Sequence, residues 1–347
     1  MADVARLAKV SRSTVSRVYQ PGASVPSDTQ LAVREAARAL GYVHNLVASE
    51  LAGGTRSQLG LLIRDATNPA YGHLHAAIHR EVERAGRHLV SVTASRHDYG
   101  VAEVAGLQRL IGLRVGGVLV ATGVTAPEDL HAAAEAVPLM VVGRPNDDPA
   151  LESVSYDELA HACLVVDRAH SLGHRRVGLL AAPLTYSRVF DLRVRGMRRR
   201  CRELGIAVHE IELLPVGEGV RRALAAARRE GLTAILCPVD YVALELLRAA
   251  AVQDVRVPED VSVAGFDGLT DGLDLIGLTT VRLPVAELAQ RAVGRMLELT
   301  SSQPRRAEEE SPYRGAECGE QRDGRNAGRH ELCSGELVPG RTLGGVE

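Results

Sequence analysis

The sequence predicts an all-α helix-turn-helix headpiece joined to an α/β body built from two doubly wound parallel sheets. Three observations carry this. Residues 3–17, DVARLAKVSRSTVSR, place two short apolar-periodic runs on either side of a turn. From Leu59 onward, apolar runs alternate with amphipathic helical stretches, and after Tyr156 the alternation starts again. A chain of 347 residues is also too long for a single compact core, so several domains are expected.

In the first stretch Val4, Leu7 and Ala8 form one apolar run and Val15 and Val18 the other, with Lys9-Val10 between them. Ser11 stands where a helix N-cap belongs. On the second helix Arg12, Ser13, Ser16 and Arg17 point outward, all hydrogen-bonding and none acidic. Those groups suit base edges and phosphates in a major groove. Pro21-Gly22 and Pro26-Ser27-Asp28 punctuate a loop, and Ser27 or Asp28 caps a third helix that runs to Leu40 and stops at Gly41. Leu31, Val33, Ala37 and Leu40 supply the stripe against which the first two helices pack. Residues 1–44 thus read as a small headpiece with a thin core.

Residues 45–54, NLVASELAGG, have helical composition but only a turn or two of length, too short to be stable alone in water. Gly53-Gly54-Thr55 follows as a joint, so 45–57 reads as a linker. In the body, strands are expected at 59–64, 88–94, 116–121 and 139–143, with helices near 70–85, 101–113 and 127–136. A second series has strands at 176–182, 209–215, 233–238 and 261–267 and helices near 158–171, 188–204, 218–230 and 240–251. Such βαβ units make parallel sheets covered on both faces. Two of them side by side leave a cleft at the carboxyl ends of their strands. Residues 284–300 form a last helix, and a modest strand is expected around 335–339. Residues 305–329 are charged, glycine-rich and poor in large apolar side chains, the composition of a disordered insertion.

Charge and composition narrow the function. The formal net charge is −2, so the chain is no general polycation, and any nucleic-acid contact must be local. Within residues 1–57 the sign reverses: Arg6, Lys9, Arg12, Arg17, Arg34, Arg38 and Arg56 face only Asp3, Asp28, Glu35 and Glu50. The cysteines at 163, 201, 237, 318 and 333 are scattered and form no CxxC pair, which argues against a disulfide framework or structural zinc and for a reducing cytoplasm. His330, Cys318 and Cys333 lack a fourth metal ligand. The start has no signal-peptide core, and no apolar run is long enough to span a membrane. Neither GxxxxGK[ST] nor GxGxxG follows a strand, and no nucleophile-base pair stands out, so no cofactor and no enzymatic reaction are expected.

Taken together, the headpiece, the 45–54 segment and the two-lobed body resemble the lactose/galactose repressor family of bacterial transcription regulators. The likeness covers about residues 1–304 and rests on several motifs in order: DVARLAKVSRSTVSRV, GYVHNLVASELAGG, NPAY at 68–71, LGHRRVGLLAAP at 172–183, and VPEDVSVAGFDG followed by LTTVRLP. The resemblance implies a periplasmic-binding-protein-like body at 58–304. Its first lobe would hold about 58–156 plus 284–304, and its second about 157–279 plus 330–343. It implies base reading by Arg12 and Ser13, with further groove and phosphate contacts from Thr14, Ser16 and Arg17. It makes 45–57 a hinge in which Asn45, Ala48 and Leu51 meet the minor groove, the leucine as a wedge that bends the duplex. Wedges at the centre of a palindromic operator require a two-fold axis, and so a homodimer.

In the cleft, the resemblance makes Arg193 an effector contact and Asp267 an acidic ligand group. Tyr71 and Leu74 would pack on the ligand, and Asp157 and Asp240 would sit at strand ends facing it. There are departures. The family enters its first helix through a few further residues, for whose absence a late start assignment is one explanation. Lys9 stands where the family's turn has glycine. Gly143, Val239 and Leu283 replace a common aspartate, asparagine and glutamine, and tryptophan is absent. An effector less richly hydrogen-bonded than a typical hexose, or a weakened response, is therefore expected. The function so implied is a cytoplasmic transcription regulator, a repressor that binds double-stranded operator DNA as a dimer under the control of a small-molecule effector. An exported binding protein would share the body but not the headpiece.

Overall fold

The structure is a computed structural model that describes residues 1–19, 24–43, 58–94, 99–146, 148–184, 186–301 and 328–346. The expected hinge residues Asn45, Ala48 and Leu51 and most of the expected 305–329 insertion lie outside the described residues.

The headpiece consists of α1 (Ala2–Leu7), α2 (Arg12–Val18) and α3 (Ser27–Ala39). Ser11 caps α2 by accepting from the Thr14 amide at 3.0 Å, satisfying one of the amides that a helix start leaves without an intrahelical partner. Val4, Ala5, Val15, Val33, Ala36 and Ala37 form the buried core. The expected stripe on α3 is corrected in part: Leu31 and Leu40 are 60% and 47% exposed, and the small Ala36 takes their place. With helices this short, the core admits only the side chains nearest the common axis.

Lys9 sits in the turn between α1 and α2 at φ 54°, in the left-handed region. A side chain there strains the backbone by roughly 1 kcal/mol relative to glycine. Lys9→Gly is accordingly expected to stabilise the headpiece by about that amount, read as a higher midpoint for the headpiece in thermal denaturation; a lower midpoint would contradict it.

The first lobe is a six-stranded sheet of order β11-β5-β4-β3-β1-β2, parallel throughout. Its strands are β1 (Gln58–Ile63), β2 (His88–Thr93), β3 (Gly117–Ala121), β4 (Leu139–Val142), β5 (Glu152–Tyr156) and β11 (His330–Cys333). Helices α4 (Pro69–Arg84) and α12 (Val285–Ser301) cover one face, with Leu74, Ile78, Val82, Leu288 and Met296 buried. Helices α5 (Tyr99–Gly112) and α6 (Pro127–Ala136) cover the other through Leu107, Leu110 and Leu130. The second lobe has order β7-β6-β8-β9, again parallel: β6 (Arg176–Ala181), β7 (Ala207–Glu212), β8 (Ala234–Leu236) and β9 (Ser262–Ala264). Here α7 (Glu158–Ser171) and α8 (Arg188–Glu203) lie on one face and α9 (Val216–Glu230) and α10 (Asp240–Val252) on the other. A one-turn α11 (Leu273–Ile276) leads to β10 (Thr280–Arg282), which pairs antiparallel with β12 (Glu336–Val338).

Two allocations differ from expectation. The strand β5, ESVSY, lacks a branched apolar run and is not apparent in the sequence, yet four of its five residues are buried. The assignment of everything after residue 330 to the second lobe is also corrected. His330–Cys333 pairs with β5 at the edge of the first sheet, and only the chain beyond it packs on the second. The polypeptide therefore passes between lobes after Tyr156, after Arg282 and after Cys333.

Candidate functional site

In each sheet the strand order reverses beside the first strand, between β1 and β3 and between β6 and β8. Loops that leave adjacent strands in opposite directions open a crevice at such a point. The two crevices face one another across a cavity of about 570 Å³, the size of a small-molecule site. From the first lobe it is lined by Arg64 at the end of β1, Thr122 after β3, Gly143 and Arg144 after β4, Tyr156 at the end of β5, and Tyr71 and Leu74 on α4. From the second come Tyr186, Phe190 and Arg193 on the approach to and along α8, Tyr241 on α10 and Asp267 after β9.

Arg193 is the electrostatic centre. It is 2% exposed, and its guanidinium donates to Glu158 through Nε at 2.7 Å and Nη2 at 3.2 Å. Its Nη1 donates to Asp267 at 2.9 Å and to the Pro238 carbonyl at 2.8 Å. The ring of Phe266 lies 5.1 Å beneath it. Burial alone would lower its pKa, but Glu158 and Asp267 outweigh burial and hold it firmly protonated. Glu158 and Asp267 are both pushed above the ordinary carboxylate range by burial, which the charge of Arg193 opposes. Asp267 has φ 103°, a conformation L side chains rarely adopt, so its backbone is strained where its carboxylate meets the arginine.

Four of the expected effector residues, Tyr71, Leu74, Arg193 and Asp267, line the cavity together. The other two do not. Asp157 is the N-cap of α7 and accepts from the Ala160 amide at 2.9 Å, which corrects the expectation that it faces the cleft. Asp240 is 1% exposed and lies behind the wall, accepting from Thr280 Oγ1 and from the Gly268 amide, each at 2.7 Å. Burial and then the neighbouring charge of Asp267 raise its pKa to about 8. Its part is to anchor the β9 turn that presents Asp267.

Several contributors were not foreseen. Glu158 follows an acidic capping residue, and nothing local distinguishes the carboxylate that caps from the one that turns inward. Arg64 and Arg144 carried a legible signal: each is a charge at the carboxyl end of a buried apolar run, where a parallel strand meets its cleft. Both are buried, at 6% and 5% exposed. Arg64 donates to the Tyr186 carbonyl across the cleft, with its guanidinium 5.5 Å from the centre of that ring. Gly123 packs so closely on the same guanidinium that a Cβ would collide with it. Arg144 donates to the Thr125 carbonyl at 3.2 Å. Burial raises the Tyr71 hydroxyl to about 12, so that it stays a neutral donor and acceptor. Gly143 has φ 75°, a conformation that a residue without Cβ adopts at no steric cost.

On the headpiece, Arg12, Ser13 and Arg17 are exposed and Thr14 and Ser16 half-buried, while Val15 faces the core. The Ser11 hydroxyl lies 2.7 Å from that of Ser13 and 2.8 Å from that of Thr14, which aligns the first turn of α2. Arg12, Ser13, Ser16 and Arg17 thus share one helical face with no acidic neighbour on it.

Over 322 residues the chain is 30% identical to the HTH-type transcriptional regulator MalR of Streptomyces coelicolor, an alignment that spans 88% of this chain and 91% of MalR. The chain belongs to the lacI family of bacterial regulatory proteins. The model of that family matches residues 1–45, and a periplasmic binding protein-like domain matches residues 166–315. The lactose operon repressor of Escherichia coli is 28% identical over 312 residues, covering 87% of this chain and 84% of the repressor. A crystal structure of the lac repressor dimer bound to operator and the anti-inducer ONPF superposes with a TM-score of 0.77 at 27% identity, covering 99% of this chain and 98% of that one. This lacI-family chain is therefore a helix-turn-helix transcription regulator on a periplasmic-binding-protein-like body, and not an enzyme. Among the described residues, no three His, Cys, Asp or Glu side chains gather as metal ligands, and no helix is long and apolar enough to cross a membrane.

Proposed function

We propose that this regulator is a cytoplasmic repressor that binds a pseudo-palindromic operator as a homodimer and is released by a small molecule held between its lobes. The observation that carries this reading is the pairing of a basic, acid-free α2 face with a cavity shared by two lobes that the chain joins three times. Arg12 and Ser13 read bases, while Thr14, Ser16 and Arg17 set the helix on the groove and its phosphates. Asn45, Ala48 and Leu51 take the hinge role, in which the leucine wedge is ordered by DNA and by the second subunit. In the cavity Tyr71, Leu74, Arg193 and Asp267 bind the effector, and Asp157 and Asp240 support the wall.

Effector binding changes the lobe angle, and the three crossings carry that change to the first lobe and the hinge. By linkage, effector and operator weaken each other's binding by the same factor. The test is operator affinity against salt. With six to ten phosphate contacts the affinity should fall by about a thousandfold or more between 50 and 200 mM salt. A flat response would remove operator binding from the reading.

A further inference from the structure

The effector reading above leaves open what kind of molecule fills the cavity, and the inference here rests on that reading. The chain has only eight tyrosines and two phenylalanines, and no tryptophan. Half of these ten rings line this one cavity: Tyr71 and Tyr156 from the first lobe, Tyr186, Phe190 and Tyr241 from the second. The three from the second lobe form a continuous aromatic wall, with ring centroids 5.8 Å apart from Tyr186 to Phe190 and 6.4 Å from Phe190 to Tyr241. A hydrogen bond of 3.3 Å joins the Tyr186 and Tyr241 hydroxyls and holds the wall together. Rings on both sides of a cleft suit a flat π-system between them.

The polar groups point the same way. Vicinal hydroxyl pairs of a sugar are best bracketed by carboxylates and side-chain amides. Among the described lining residues these are Asp65, Asn68 and Asp267. Asp65 is turned onto the Thr67 amide and hydroxyl, and Asn68 caps α4 by accepting from the Ala70 amide. That leaves one such group, Asp267, whose Oδ1 also accepts from Arg193, too few to bracket the hydroxyl pairs of a sugar. Arg64 and Arg144, by contrast, only donate, so a ligand beside them must bring acceptor oxygens. Asp267 on the opposite lobe only accepts while ionised and asks for an O–H.

We propose that the effector is a hydroxylated aromatic carboxylate. Its ring lies between the tyrosines of the two lobes, its carboxylate on the Arg64 and Arg144 side, and its phenolic hydroxyl toward Asp267.

The full-length protein is titrated calorimetrically with 4-hydroxybenzoate, with its saturated counterpart 4-hydroxycyclohexanecarboxylate, with glucuronate, and with glucose and galactose. The aromatic acid should bind at least about tenfold more tightly than the saturated acid, which carries the same two polar groups without the flat ring. Tyr186→Leu, which keeps the bulk, should remove that preference, and Arg144→Met should weaken the aromatic acid without creating sugar binding. Circular dichroism confirms that both variants are folded. Equal binding of the two ring acids, preferential binding of glucuronate or a neutral sugar, or no binding by either ring acid would overturn the proposal. The same compounds are added to the protein on a DNA site selected from a random pool. If a neutral sugar loosens that complex, the aromatic assignment falls and the effector-controlled reading stands. The salt dependence of the ligand-free complex decides operator binding separately.

Discussion

Glu158→Ala is expected to destabilise the body by about 3–5 kcal/mol, because it leaves the guanidinium of Arg193 buried with half of its charge compensation gone. Two of its N–H groups would lose their acceptors at a place where both side chains are almost wholly buried. For a unit of this size the loss corresponds to a fall in Tm of roughly 10 °C by scanning calorimetry. The paired replacement Glu158→Leu with Arg193→Met should recover only part of the stability, since it removes the uncompensated guanidinium but leaves the Asp267 carboxylate buried without its arginine. An unchanged Tm in Glu158→Ala would show that the pair is solvated and that the cavity floor is wetter than the geometry describes.

Arg12→Ala is expected to reduce affinity for the selected operator by about 1–3 kcal/mol, or roughly tenfold to a hundredfold, with relaxed preference at one base pair in each half-site. A phosphate contact behaves otherwise: losing it weakens all sequences alike and lowers the salt slope by about one. Fluorescence anisotropy on the operator and on single-base variants separates the two. A uniform loss across all sequences would move Arg12 from base reading to backbone contact. The fold should not change, because Arg12 is exposed and the α2 cap belongs to Ser11.

How much of this could be read from residues alone follows from what a local pattern reports. The headpiece was legible because a period of 3.6 residues, a capping serine and a glycine stop all act within a few residues of one another. The alternation in the body was legible for the same reason, since each strand is an apolar run and each helix an amphipathic one. What a pattern cannot report is the partner. HELC at 330–333 carries no mark that sends it to β5 in the first lobe while ELV, three residues on, goes to β10 in the second. Asp157 and Glu158 are adjacent acids at one helix start; backbone direction turns one onto the amides and the other onto Arg193. Arg193 and Asp267 were reached through family likeness, whereas Tyr186 and Tyr241 gain meaning only when the turn before α8 and the start of α10, 55 residues apart in sequence, bring their hydroxyls together. Asp240 looked like a cleft group for a sound reason, its place after a β-strand. The deciding fact is that its buried carboxylate is taken up by Thr280 and Gly268.

Residues 328–346 complete both lobes of the body. Residues 330–338 supply the outer strand of one sheet and, three residues later, the partner of β10 beside the other. Beyond them Thr342 accepts from the Thr279 amide and donates to the Val263 carbonyl, closing the second lobe from behind. During synthesis, both lobes are therefore incomplete until residues 330–342 have been made. A nascent chain that has made α1 to α12 still exposes the edge of β5, with unpaired amides and carbonyls ready to join another strand. Premature termination after Ser301 would be felt in both lobes at once, as aggregation of an intact-looking regulator and not as loss of a dispensable tail.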